Sequence, residues 1–121
     1  MKTGGTYDKK LMLIETTAAM TSTTTGSAVD FNGGDMHALN YRVVVSGTVS
    51  GTTPKIVLKI QESSDKSSWS DVYTFPDITG TGEWNKKIHC SKRWRRAVAT
   101  VSGTSPSFGS VKVGASTGGV L

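Results

Sequence analysis

The alternation of apolar and polar residues in the segment KIVLKIQES, from Lys55 to Ser63, most tightly constrains the fold of this chain. Ile56, Leu58 and Ile60 share one parity, whereas the positions between and beside them include two lysines and a glutamine. Successive side chains of a β-strand point to opposite faces. The segment therefore predicts a strand with one face in a core and the other towards solvent or a partner.

Similar patterns recur along the chain, separated by turn signals such as SGTTP, SSDKSS and SGTSPS. They predict further strands at 28–31, 38–50, 69–75, 84–90, 90–103 and 108–116. Residues 10–20 could form a short helix or a strand, and Ile14 and the two threonines favour the strand. No pattern predicts a helix longer than two turns. We therefore expect an all-β fold, an antiparallel β-sandwich that resembles a jelly roll, with about eight short strands.

The length of 121 residues is that of one domain. We expect a flexible N-terminal arm at 1–10, a single β-sandwich domain at 11–116 and a flexible C-terminal tail at 117–121. The opening MKTGGTY is not followed by the apolar region of a signal peptide, and LMLI is far shorter than the roughly twenty residues of a bilayer span. The sequence thus predicts synthesis in the cytoplasm and no membrane partner.

The positive charge is concentrated in one stretch. The net charge is +5, and the first fifty residues carry four basic and four acidic groups, so the excess lies after residue 50. Six of the basic residues fall within eleven positions that contain no acid: Lys86, Lys87, Lys92, Arg93, Arg95 and Arg96. Such a local patch implies an acidic partner or a solvated edge, so these six are the candidate docking residues.

Residues that would support catalysis or metal binding do not form a recognisable pattern. Cys90 is the only cysteine, so it has no disulfide partner in the chain, and His37 and His89 are the only histidines. The stretch GTGEW is not followed by the G-K-[ST] of a phosphate loop, and H-E-x-x-H does not occur. We expect no enzyme activity, no catalytic residue, no cofactor and no metal site, and a buried side chain for Cys90.

Two binding functions remain as alternatives. Basic side chains beside Trp84 and Trp94 would suit nucleic acid. However, Trp94 and Arg96 share one parity while Arg95 shares the other with two alanines, so neither face is cleanly aromatic and basic. Nucleic acid is therefore not the expected partner. We expect Trp94 to be packed and Arg96 to pair with an acid such as Asp71 or Glu62. Which face of this strand is buried stays open.

The second alternative is carbohydrate binding, because the segment IQESSDKSSWSDV resembles the strands and Ser-Asp turn of discoidin-like lectin sandwiches. Sugar sites combine exposed aromatic rings with convergent polar side chains on a concave surface.

The longer stretch IQESSDKSSWSDVYTFPDITGTGEWNKKIHCSKRWRRAVATVSG, residues 60–103, carries a stronger resemblance. It is similar to small structural proteins of tailed bacteriophages, in which a Q-x-S-x-D-x-x-x-W-x-D-V strand pair and a Gly turn precede an R-aromatic-x-R strand. In particular it resembles the cement, or decoration, proteins that fold as jelly-roll sandwiches outside capsids. The similarity extends over about residues 11–114. Arg95 stands where that pattern usually has an apolar residue.

This resemblance implies a structural virion protein on the capsid exterior, with the major capsid protein as partner and a homodimer or homotrimer as its assembly. A neck or tail protein of similar fold is the alternative. We further expect the patch from Lys86 to Arg96 to dock on the capsid protein or on symmetry mates, and the arm from Met1 to Lys10 to order on a neighbouring subunit.

Overall fold

The computed structural model describes residues 12–16, 18–31 and 38–116 and shows an all-β fold there. All strand pairings among them are antiparallel, which confirms the predicted fold class. No helix occurs in these ranges, and so none that could cross a membrane. The predicted arm at 1–10 and tail at 117–121 lie outside the described residues. The strands are β1 Met12–Glu15, β2 Thr24–Thr25, β3 Val29–Asp30, β4 Ala38–Ser63, β5 Ser70–Thr74, β6 Gly82–His89 and β7 Trp94–Ser116.

Two long strands, β4 and β7, form the centre of the fold. They have 26 and 23 residues and pair with each other from Asn40–Ser116 to Ser63–Trp94. The stretches SGTTP and SGTSPS, which the sequence predicts as turns, instead lie within these strands. The register shifts three times between Ser46 and Lys55, and the ribbon bends there. Four predicted strands are thus two continuous strands, each with a bend at its middle.

The remaining strands flank this ribbon on both sides. The described residues from 12 to 30 run antiparallel along β7, where β1 pairs near its end, Met20 pairs with Phe108, and β2 and β3 pair near its start. Residues 70–89 run antiparallel along β4, with β5 beside its second half and β6 beside its first half. The four long segments therefore lie side by side in the order 12–30, 94–116, 38–63 and 70–89.

Each long segment divides into two at the bend, which gives eight shorter strands. Numbered along the chain, strand 1 is β1, strand 2 is β2 with β3, strands 3 and 4 are the halves of β4, strand 5 is β5, strand 6 is β6, and strands 7 and 8 are the halves of β7. They pair in the orders 1-8-3-6 and 2-7-4-5. These two four-stranded sheets have the strand order of a jelly roll. We call them the first layer, which contains β1, β6 and the halves of β4 and β7 between them, and the second layer, which contains β2, β3, β5 and the other halves.

The two layers face each other across one core. Tyr41 pairs with Ala115 and Arg95 pairs with Glu62, so along a flat ribbon these two side chains would be on the order of 60 Å apart. The Tyr41 hydroxyl nevertheless lies 2.9 Å from Nη1 of Arg95. The ribbon is therefore folded over on itself.

The buried residues of β4 change parity at the bend. Its buried apolar residues are odd-numbered in the first half and even-numbered in the second half, because the bulges shift the alternation by one position. The core of the two layers includes Leu39, Tyr41, Val43, Val45, Ile56, Leu58, Ile60, Ala97, Ala99, Phe108, Val111 and Val113.

A further bulge interrupts the alternation of β5. Simple alternation over residues 69–75 would place Trp69, Asp71, Tyr73 and Phe75 on one face, but Gln61 pairs with Asp71 and Ile60 with Tyr73, so Val72 is the extra residue. Asp71 is consequently exposed, whereas Tyr73 packs its ring edge-on against buried Phe75, with centroids 4.9 Å apart.

Gly26 lies between β2 and β3 in the second layer, where the chain approaches the backbone of β1 in the first layer. Its amide donates to the carbonyl of Ala97, at 2.8 Å, in the second layer. A Cβ placed on Gly26 would overlap the backbone carbonyl of Leu13, which belongs to the first layer. Only glycine therefore fits this approach of two backbones.

We expect Gly26→Ala to lower the free energy of unfolding by about 1–3 kcal/mol, because the methyl group forces the two backbones apart. Gly80→Ala is the matched control, since a Cβ there meets nothing within 4 Å, and its change should stay within about 0.5 kcal/mol. Urea unfolding of the three proteins measures both values. Equal stability of the two variants would contradict the close approach at Gly26.

Candidate docking surface

The six candidate docking residues do not form one patch. Lys86 and Lys87 lie on β6 at the edge of the first layer, and both are exposed. Lys92 and Arg93 lie in the turn before β7, and Arg96 lies on β7 in the second layer. The six basic residues, although close together in the sequence, therefore do not form a single basic surface.

Arg95 is a core residue, which corrects its assignment as a docking residue. Its relative exposure is 0%, and it shares a face with buried Ala97 and Ala99. Nη1 donates to the Tyr41 hydroxyl at 2.9 Å, and Nε donates to the carbonyl of Lys92 at 3.1 Å. This settles which face of the strand is buried: the one that carries Arg95.

Arg95 also belongs to a buried group of polar and aromatic side chains that joins the two layers. Its guanidinium carbon lies 4.6 Å from the ring centroid of Phe31, and the Tyr41 hydroxyl lies 3.7 Å from Sγ of Cys90. Burial raises the pKa of both the Tyr41 phenol and the Cys90 thiol. Both groups are therefore protonated at neutral pH. Cys90 is buried, as the sequence predicts.

The opposite face of the same strand carries Arg96, which packs on an aromatic ring. Its guanidinium carbon lies 4.2 Å from the ring centroid of Trp69. Nε of Arg96 donates to Gln61 at 2.8 Å, and the amide nitrogen of Gln61 donates to Asp71 at 2.7 Å. Arg96 is thus linked to its predicted partner Asp71 through two hydrogen bonds of the Gln61 side chain. Glu62, the other predicted acid, instead accepts from two backbone N–H groups in the turn before β7.

Trp94 lies on this outer face too and is half-buried. Nζ of Lys66 is 4.5 Å from its ring centroid, and the guanidinium carbon of Arg93 is 5.4 Å away. Arg93 donates to both carboxylate oxygens of Asp30, each at 2.7 Å, and this ion pair raises the pKa of Arg93. Trp94 therefore contacts two cations, one of which has its own counterion.

A well-defined turn holds Lys66 over Trp94. The Ser63 hydroxyl accepts from the N–H groups of Asp65 and Lys66, at 3.1 and 2.8 Å. The Asp65 carboxylate accepts from the N–H groups of residues 67 and 68, and these bonds lower its pKa. Lys66 adopts a φ of +67°, so local hydrogen bonds fix the backbone from which its side chain extends.

These residues form a connected group on the outer face of the second layer, which we call the tryptophan–cation cluster: Lys66, Trp69, Arg93, Trp94 and Arg96. The indole N–H of Trp69 donates to the carbonyl of Lys66 at 3.3 Å and links its two halves. The carboxylates of Asp30 and Asp71 lie beside the cluster and offset part of its positive charge. The cluster is therefore suited to short-range contacts with a partner rather than to long-range electrostatic attraction.

The sequence did not identify Lys66 and Trp69 as site residues. They stand about 25–30 positions before Arg93 and Arg96 along the chain, and only strand pairing brings them together. The sequence feature that could have indicated these two residues is the SSDKSSW turn, which lies next to a strand that pairs with the basic strand.

No protein-family model matches the chain, and the search of curated proteins finds no match. Within residues 12–16, 18–31 and 38–116, no group of three or more His, Cys, Asp or Glu residues is arranged to hold a metal ion.

We expect Arg95→Met to lower the free energy of unfolding by about 2–4 kcal/mol, because the buried Tyr41 hydroxyl and the Lys92 carbonyl lose their donor. Arg96→Met makes the same chemical change on the outer face and should cost less than about 1 kcal/mol. Urea unfolding compares the two. A smaller loss for Arg95→Met than for Arg96→Met would show that Arg95 does not join the layers.

Proposed function

We propose that this chain is a structural virion protein, a decoration protein that binds the outside of the major capsid protein lattice of a tailed bacteriophage. The observation that carries the proposal is the strand order 1-8-3-6 and 2-7-4-5. Jelly rolls occur in viral capsid proteins, lectins and cupins, so the fold alone does not choose among them. The resemblance of residues 60–103 to phage cement proteins favours the virion.

The tryptophan–cation cluster is the docking surface in this proposal. Tryptophan and arginine are enriched at protein interfaces, where they supply large contact areas and directional hydrogen bonds. The cluster takes over the docking role from the predicted stretch Lys86–Arg96, since it keeps Arg93 and Arg96, omits the buried Arg95 and adds Lys66 with the two tryptophans. A repeating lattice allows modest affinity for each copy to give strong retention.

The first test is the number of copies of this chain in purified phage particles, counted against the major capsid protein by quantitative mass spectrometry. Hundreds of copies in a simple ratio to the capsid protein are expected for a decoration protein. A few copies would favour the neck or tail, and complete absence from particles would contradict a structural role.

Charge reversal tests the docking surface. Lys66→Glu and Arg96→Glu should each weaken binding to purified capsids lacking this protein by about tenfold or more, since each places a like charge against an acidic capsid surface. Cosedimentation with the capsids measures binding. Lys55→Glu is the matched control and should bind normally, because Lys55 is a half-exposed lysine of the same layer that lies outside the cluster, 3.8 Å from Asp77. Unchanged binding by both cluster variants, with thermal unfolding unchanged, would exclude this surface.

A further inference from the structure

Strand β6 differs from the other edge strands of the fold. It has eight residues, and each pairs in turn with residues 38–45 of β4 without a register shift. Among the described residues it pairs with β4 alone, so its other side presents unpaired backbone groups. By contrast, β5 contains a bulge, β1 is four residues long with a register shift, and β2 and β3 have two residues each.

Natural proteins avoid unwanted pairing by making edge strands short or bulged or by placing charges on them. The other described edges follow the first two of these rules. On β6 only charge is used, and the charges have both signs. A regular edge strand that carries charges of both signs can pair with a strand of complementary charge and is repelled by others.

The charges on β6 are exposed at the edge. Lys86 and Lys87 form no ion pair with another residue that the structure describes, and Nζ of Lys86 lies 5.5 Å from the ring centroid of Tyr73 in the same chain. Glu83 contacts Nε of Arg42 at 2.8 Å, and its own side chain is 42% exposed. Opposite charges thus lie four residues apart on one strand.

The sequence of β6 is complementary to itself. When two antiparallel copies pair about a two-fold axis at Asn85, Glu83 stands opposite the partner's Lys87, and this ion pair occurs twice. On the other side of the strand, Trp84 stands opposite the partner's Lys86, also twice, which is a favourable cation–aromatic pair. Such directly opposed pairs are what stabilise one antiparallel register over another.

The neighbouring registers are less favourable. An axis at Lys86 or Lys87 places that lysine opposite its own copy, and directly opposed like charges are destabilising. An axis at Trp84 leaves Lys86 opposite the partner's Gly82 and shortens the paired length. The axis at Asn85 pairs every charge of the strand with an opposite charge or an aromatic ring, and it uses nearly all of β6.

We propose that β6 binds β6 of a second copy of this chain in antiparallel register about Asn85. The two first layers then form one continuous sheet of eight strands, and main-chain hydrogen bonds supply affinity while the side-chain pairs set the register. This dimer does not depend on the proposed function, because its contacts involve no capsid protein.

Sedimentation velocity over a range of protein concentrations tests the proposal. The unmodified protein should form a dimer in reversible equilibrium. Lys87→Glu and Glu83→Lys should each weaken it about tenfold or more, because each places like charges opposite each other at two positions. The double variant Glu83→Lys/Lys87→Glu exchanges the charges and should restore most of the affinity. Lys55→Glu is the control and should dimerise normally.

A protein that stays monomeric at all concentrations would overturn the proposal, and the lysines of β6 would then serve only to keep the edge unpaired. Failure of the double variant to recover affinity, while its thermal unfolding matches that of the single variants, would also overturn it.

A cross-link tests the register itself. Asn85→Cys places two thiols opposite each other at the axis, so oxidation should give a covalent dimer. Asn40→Cys is the control, because Asn40 lies beside Asn85 on β4, away from the edge, and donates to it at 3.2 Å. A dimer that cross-links through neither variant, or through Asn40→Cys alone, would contradict the axis at Asn85.

Discussion

The bend in the ribbon of β4 and β7 is the constraint on which the rest of the structure depends. At the bend, Gly51 and Gly103 adopt φ values of +108° and +115°, and a Cβ on Gly103 would lie 2.6 Å from the carbonyl oxygen of Thr53. Glycine allows both the conformation and the close approach. Because of the bend, one sheet provides both layers of the sandwich, and the buried parity of β4 changes between its halves.

The bend also decides which basic residues reach the surface. It brings the start of β7 opposite Tyr41, where Arg95 is enclosed and donates across the core. Since side chains alternate along a strand, Trp94 and Arg96 must then point outwards. A buried guanidinium is costly unless it is well hydrogen-bonded, so its bonds to Tyr41 and Lys92 fix the strand in this orientation. The position of one buried arginine therefore sets the composition of the tryptophan–cation cluster.

Local patterns predicted much of the fold, and long-range pairing explains what they missed. The alternation at Lys55–Ser63 identified a real strand with the correct buried face, and the fold class followed from many such segments. The stretches SGTTP and SGTSPS carry turn chemistry, but flanking strands that stay paired with each other convert a turn into a bend. The charge run around Arg95 suggested one patch because sequence spacing contains no information on which face is enclosed.

The candidate site was less predictable for the same reason. Its cations contact tryptophans that come from different segments, and Lys66 meets Trp94 only because Ser63 pairs with Trp94 at the end of the ribbon. Alternation within one strand can say that Trp94 and Arg96 share a face. It cannot say which turn lies above them.

The two proposed surfaces are compatible because they lie on different parts of the sandwich. A two-fold axis perpendicular to a continuous sheet keeps each face of that sheet on the same side in both subunits. The outer faces of the two second layers, and with them both tryptophan–cation clusters, would then point the same way from the dimer. When one cluster is bound to a capsid lattice, the second is held close to the same lattice at a high effective concentration. Pairing through β6 would therefore convert one weak contact into two simultaneous contacts without any change in the docking surface itself.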